Sequence, residues 1–289
     1  MSKYNIFHSV VTRRSLLRTH TLSPHLQPRH KHSTNTTRKN ITASLATMSK
    51  PGLLFVTSRI SDPSKTTDEK FNEMYDKEHL PDVLNYKKKV TDLALRYKNS
   101  NPSSTCPYLA LYPLKDTSIF SDGTLENLTT DTRHSKTYNG EDLTTFIDFG
   151  ARHYEKIQTY EGGFGLDQRQ HQNQPNSQRA QSLTVVAMEP APSSSAEADF
   201  DAWYRKQHLD MLAMCTGYRR TTRYKRIDGV EPRYLALHEW DCKPEAMPAE
   251  QIKQVTSTEW SRKIIGEARV FERDVFELIQ EQGEVGREL

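Results

Sequence analysis

The sequence predicts an α+β protein: two tandem copies of one small unit whose sheets close on each other as an intramolecular α/β barrel. Three observations predict it. Phe71, Tyr75, His79 and Leu80 recur at identical spacing as Phe200, Tyr204, His208 and Leu209, 129 residues along. Three further blocks follow in the same order at offsets of 126–127: Arg96-Tyr97-Lys98 with Arg223-Tyr224-Lys225, Tyr108 to Tyr112 with Tyr234 to His238, and Ser135-Lys136 with Ser261-Arg262. Each copy also reads strand, helix, strand, strand, helix, strand, the order of a ferredoxin-like unit.

The elements follow in turn. The first copy, 51–166, opens on an apolar strand at 53–60. A loop carrying Asp62-Pro63-Ser64 leads into a helix over 68–84, then strands at 93–99 and 108–114. A second helix is expected near 123–138 and a closing strand near 156–161. The second copy, 182–280, repeats this with a strand at 183–188 and a helix over 197–214. Strands at 218–226 and 233–240, a helix over 248–265 and a strand at 269–277 complete it. Between the copies, the Gln/Asn/Arg-rich stretch 167–181 cannot bury a core and reads as a linker. The charged segment 281–289 reads as a tail that frays or docks a partner.

The basic charge sits at one end. Residues 1–47 hold eight Lys/Arg and no acid, which leaves 32 basic against 37 acidic residues in the remainder. The predicted folded part is therefore mildly acidic, and a nucleic-acid backbone is not an expected partner. Residues 1–50 are set aside as a disordered segment. Their Arg-rich, acid-free composition fits a mitochondrial transit peptide. A translation start at Met48 would instead give a cytoplasmic protein, and both readings stand. No apolar run reaches the length of a membrane-crossing helix. Cys106, Cys215 and Cys242 form no CxxC or metal-ligand spacing and fit reduced thiols of an intracellular protein. The Gly-rich run at 162–165 precedes no helix, so it is not a phosphate loop.

The Phe-x3-Tyr-x3-His-Leu helix following a first strand resembles the EthD-like families of the dimeric α/β-barrel superfamily, in a fungal-type tandem form spanning roughly 51–280. The resemblance implies the barrel fold and an active site for small molecules. It does not select a reaction, because such families include cyclases, decarboxylase-like proteins, isomerases, cofactor-free monooxygenases, haem-dependent enzymes and members with no known activity.

The candidate residues follow from the pattern. His79 and His208 fall at the border of a buried helical face, where an imidazole can be partly desolvated and serve as acid or base. Packing at the helix end is the competing role. On the third strand of each copy, Tyr108 and Tyr112, and Tyr234, His238 and Trp240, alternate with Leu109/Leu111 and Leu235/Leu237. The aliphatic face is expected to meet the helices, so the aromatic face would line a pocket inside the barrel. His238 stands where the first copy has Tyr112, which makes it a third acid/base candidate at an asymmetric point. Tyr75 and Tyr204 are expected to shape the pocket. Arg96 and Arg223 are candidates for holding a carboxylate or phenolate, with sheet-edge charge as the competing role.

The expected activity is acid/base chemistry without a cofactor (cyclisation, dehydration, decarboxylation or isomerisation) on a hydrophobic, aromatic or polyketide-like substrate. A non-catalytic binding or stress-response protein is the alternative. A haem-dependent oxidoreductase is a second alternative, since any of these histidines could supply an axial ligand. No metal site is expected. The protein is expected to be a monomeric pseudo-dimer, with further association open.

Overall fold

The computed structural model describes residues 50–162, 179–284 and 289. The basic N-terminal segment, and the expected linker up to residue 178, lie outside the described residues.

The N-terminal half contains β1 (Gly52–Ile60), α1 (Asp68–Met74), α2 (Leu80–Leu84), β2 (Leu93–Asn99), β3 (Tyr108–Leu114) and α3 (Thr124–Thr132). A short hairpin, β4 (His134–Ser135) and β5 (Glu141–Asp142), leads into β6 (Ile147–Tyr160). The C-terminal half contains β7 (Ser182–Glu189), α4 (Ser194–Trp203), α5 (Leu209–Ala213), β8 (Tyr218–Arg226) and β9 (Tyr234–Trp240). It ends with α6 (Ala249–Thr256), α7 (Glu259–Glu267) and β10 (Val270–Gly283).

Eight strands close into one antiparallel barrel in the order β1-β3-β2-β10-β7-β9-β8-β6. Each half contributes four neighbours in the same relative order, β6-β1-β3-β2 and β10-β7-β9-β8, as a ferredoxin-like unit does. The halves are joined where the last strand of one pairs with the second strand of the other. Glu281 pairs with Leu95 at one seam, and Thr159 with Thr222 at the other.

This double duty corrects the expected ends of both halves. The strands expected at 156–161 and 269–277 each run 14 residues. The first part of β6 pairs with β1, its last part with β8. β10 divides likewise between β7 and β2. Much of each strand is half-buried or exposed and carries Arg, Lys, Glu and Gln, so no apolar run marked its length. The expected tail at 281–289 is not a separate element either, since β10 continues to Gly283 and Leu289 is buried among the barrel's aliphatic side chains.

The barrel interior is filled. Leu53, Leu95, Leu109, Leu111, Leu235 and Leu237 meet there with Tyr97, Tyr154 and Tyr224. The aliphatic faces of β3 and β9 thus point inward and the aromatic faces meet the helices, the reverse of the expectation. Two causes explain it. An eight-stranded barrel is narrow enough for its own side chains to fill, as the leucines and tyrosines do here. And both faces of β3 and β9 are buried, so alternation separates two faces without saying which is inside. Among the described residues these side chains occupy the interior where the pocket was expected.

Each predicted first helix is a composite. Thr67 and Ser193 cap the starts, accepting from the amides of Lys70 and Ala196. Both helices then widen into a π turn, Tyr75–His79 and Tyr204–His208, before resuming as α2 and α5. The turn closes through the Leu80 amide onto the Tyr75 carbonyl, and the Leu209 amide onto that of Tyr204. The repeated sequence block therefore coincides with a repeated backbone irregularity of a kind that favours functional sites. The second helices differ between the halves. The expected helix near 123–138 stops at Thr132 and gives way to the β4–β5 hairpin. The one expected at 248–265 is broken into α6 and α7, with Thr258 capping the second piece.

Candidate functional site

A cavity of about 560 Å³ lies in the N-terminal half, between the outer face of the sheet and the helix layer. That volume suits a ring-containing small molecule. β1 supplies Leu54 and Val56 to its wall, β3 supplies Tyr112, and β6 supplies Phe149, Ala151 and His153. The helices contribute Tyr75, His79 and Val83, and then Leu125, Leu128 and Thr129 from α3. Thr129, Thr130, Arg133 and Phe149 are exposed, so the cavity opens past α3 and the edge of β6.

The π turn sets the chemistry of this wall. It places the His79 ring 4.7 Å from the Tyr75 ring, edge to face. His79 is half-buried, and its ring makes no hydrogen bond among the described residues. Burial, together with the nearby Arg96 cation, lowers its pKa to about 4 against a smaller opposing effect of Glu78. The imidazole is neutral at physiological pH and holds a lone pair for a proton. Next to it, the Tyr75 and Tyr112 hydroxyls lie 3.4 Å apart. Burial raises the pKa of both phenols, so both stay protonated and can donate.

The supports behind this wall are charged. Arg96 is 1% exposed and lies over the Tyr75 ring at 4.3 Å. It donates to Asp76 at 2.6 Å and Asn72 at 2.7 Å. With those bonds made it does not line the cavity, which corrects its expected role in holding a substrate anion. Arg223 repeats the arrangement over Tyr204, bonded to Gln158 and Asp201, and does not line the cavity that holds His208 and His238. Glu78 accepts from Ser135, Thr137 and the Lys136 amide, which moors the π turn to the β4–β5 hairpin beside the cavity.

The matching place in the C-terminal half is nearly closed, at about 50 Å³. Strand register gives the equivalences. Leu54 faces Tyr112 as Thr184 faces His238. Val56 faces Ala151 as Val186 faces Arg273. Three bulky residues fill the space: Trp203 stands for Met74, Trp240 for Leu114, and Arg273 for Ala151. The helices α6 and α7 add Ile252, Thr256 and Ile265.

The expected site residues therefore separate. His79, Tyr75 and Tyr112 come together on the large cavity, and Tyr204, His208, His238 and Trp240 on the small one. His208 is buried and stacked on Trp203 at 4.1 Å. Tyr108 and Tyr234 line neither cavity and pack against Phe71 and Phe200. His153 was not singled out from the sequence. It stacks on Phe120 at 4.4 Å at the edge of the large cavity, and burial lowers its pKa. A strand begun at 147 would have placed Phe149, Ala151 and His153 on one face and found it.

No family model matches the chain. It is 28% identical over 212 residues to core atranone cluster protein 1 of Stachybotrys chlorohalonatus, an alignment covering 67% of this chain and 83% of that protein. Among solved structures, a chlorite dismutase variant from Candidatus Nitrospira defluvii superposes at a TM-score of 0.51 with 10% identity, covering 81% of this chain and 93% of that one. An anthrone oxidase-like protein gives 0.47 with 11% identity over 80% and 93%. The chlorite dismutase likeness agrees with the α/β-barrel fold. Among the described residues no group of three or more metal-ligating side chains is present, and no helix is long and apolar enough to cross a membrane.

Proposed function

We propose that the protein is an EthD-like enzyme that binds a hydrophobic, aromatic or polyketide-like molecule in the N-terminal cavity and moves a proton on it without a cofactor. One observation carries this: a neutral imidazole with no hydrogen bond of its own, His79, stands in the wall of a ring-sized apolar cavity beside two protonated phenols.

The steps follow from those groups. His79 takes a proton from an acidified C–H or from a phenol of the substrate. The electron pair left behind moves onto a carbonyl oxygen, and the Tyr75 or Tyr112 hydroxyl donates to the oxyanion that forms. The imidazolium, buried near Arg96, is a strong acid and returns the proton at a second atom. Isomerisation is that return alone, and cyclisation or dehydration adds a carbon–carbon bond or the loss of hydroxide. The relative is named as a core protein of an atranone cluster, which supports a role in making a small molecule.

The test is solvent exchange. Enolisable aromatic ketones and polyketide-like diketones are incubated with the protein in heavy water and followed by NMR. The proposal expects deuterium incorporation that His79→Ala abolishes and His208→Ala leaves intact. Ligands that bind and return unexchanged would make this a carrier or stress-response protein instead. A Soret band on adding haem would move the reading to an oxidoreductase.

A further inference from the structure

The small cavity of the C-terminal half is not an inert remnant. Its volume of about 50 Å³ exceeds the ~10–15 Å³ that one water needs, and it suits a molecule of three or four heavy atoms. Its polar groups are unusual in kind. His208 is 6% exposed, and its Nδ1 is shut off from solvent with no hydrogen-bond partner. A buried polar atom left this way is destabilising, which marks the His208 ring as strained by its surroundings. The His238 ring lies 6.0 Å from the His208 ring, centroid to centroid. Tyr218 donates to Thr221 at 2.9 Å, and Thr221 lies 2.7 Å from His238 Nδ1. Nδ1 is thereby occupied, and Nε2 is the ring nitrogen left without a hydrogen-bond partner among the described residues. Arg273 lines the same cavity from β10, is exposed, and makes no hydrogen bond or ion pair among the described residues.

We propose that this cavity is a binding site for a small monoanion of carboxylate type, held between the Arg273 guanidinium at its mouth and the His208 and His238 rings within.

The surrounding charges agree. The helix side offers Tyr204 and His208, β9 offers His238, β8 offers Arg223 behind the wall, and β10 offers Arg273. β7, α6 and α7 contribute only Thr184, Val186, Met188, Ile252, Thr256 and Ile265. No carboxylate lines the cavity among the described residues. Burial and these cations hold both imidazoles neutral: His208 well below its usual pKa, through burial, His238 and Arg223, and His238 at about 3, through burial, Arg273 and Arg223. An anion entering here meets the Arg273 cation, which Asp274 only partly offsets from outside the cavity lining, and raises the affinity of the rings for a proton. Binding therefore takes up a proton and tightens as the pH falls.

Trp203 reports on the site, because it stacks on His208 and its fluorescence is quenched when that imidazole becomes charged. The full chain carrying Trp260→Phe, which removes the tryptophan outside the cavity, is titrated with sodium formate at pH 5.5, 6.5 and 7.5. Sodium chloride at equal ionic strength is the reference. The proposal expects saturable quenching with formate only, an affinity rising up to tenfold for each pH unit lowered, and a loss of at least tenfold in Arg273→Ala. That variant restores the size of Ala151 at an exposed position, so its fold is expected to persist and is checked by its melting curve. Three outcomes would overturn the site: no saturable response to 100 mM formate, the same response to chloride, or a response that Arg273→Ala leaves unchanged.

Discussion

The two halves share strand order, capped first helix, π turn and the Tyr-x3-His pair within it, yet one encloses about 560 Å³ and the other about 50 Å³. The difference is made by few side chains. Trp203, Trp240 and Arg273 fill the volume that Met74, Leu114 and Ala151 leave open, and α6 with α7 covers what the single helix α3 leaves ajar. The comparison separates what the unit needs from what a ligand needs. A feature present in both halves, such as the arginine over the tyrosine, belongs to the scaffold. A feature present in one, such as the half-buried imidazole facing open space, is where chemistry can occur.

The greatest loss of activity is expected at one of the two π-turn histidines. His79→Ala should lower turnover of an accepted substrate by about 10²–10⁴-fold, with a denaturant midpoint close to that of the parent. His208→Ala should leave turnover near the parent value and lower stability instead, because its ring fills a stacked position against Trp203. Equal losses of turnover in both would erase the functional distinction between the halves.

Packing gives the next effect. Trp203→Ala opens a void in a filled half and should cost about 3–5 kcal/mol, read from urea unfolding. Leu125→Ala borders a void that already exists, and its partly buried side chain loses fewer contacts. It should cost about 1–2 kcal/mol, below the usual range for a filled core. A larger loss for Leu125 than for Trp203 would mean that the N-terminal cavity closes in solution.

The pH dependence sharpens the comparison further. His79, His208 and His238 all have pKa values below 6.5 in the folded protein, near 4 for His79 and near 3 for His238. The unfolded chain therefore binds more protons than the folded one once the pH drops below about 6.5, and stability falls from there towards pH 3–4. Above 6.5 this contribution is fully present. His238→Tyr, which installs the residue of the other half, should flatten that fall. An unfolding midpoint independent of pH between 7 and 4 would contradict the burial of these rings.

The smallest effect tests the phenol pair. The 3.4 Å separation of the Tyr75 and Tyr112 hydroxyls makes a weak mutual bond, so Tyr112→Phe should change stability by less than ~1 kcal/mol. If that hydroxyl donates to an oxyanion, the same variant should lower turnover without changing substrate affinity, a split that separates kcat from KM.

The architecture was legible in the sequence because the two halves carry the same residue types at the same spacing. Strands at 93–99, 108–114 and 218–226 were placed to the residue by their short apolar or alternating runs. What could not be read had physical causes. The shared strands β6 and β10 are polar over much of their length, since they are half-buried, and no hydrophobic period marks their reach. The π turns leave no signature in composition. The facing of β3 and β9 could not be settled by alternation when both faces are buried, and this put the expected pocket on the wrong side of the sheet. His79, Tyr75 and Tyr112 still emerged as candidates, because a ring on a buried helix border and a ring on the facing strand meet whichever side is open. His153 was missed with the start of its strand, and the roles expected of Arg96 and Arg223 gave way to bonds that sequence spacing does not display.

The apolar ligand site proposed above lies in the N-terminal half. Its most direct test is equilibrium binding of bicyclic and tricyclic aromatic acids and phenols to the parent protein and to Ala151→Arg. That substitution places in the open cavity the arginine that helps fill the other half, at an exposed strand position that should fold normally. Saturable binding to the parent, at least a hundredfold weaker binding to Ala151→Arg, and unchanged binding in Arg273→Ala are expected. Binding that survives Ala151→Arg, or a parent protein that binds none of the panel, would contradict it.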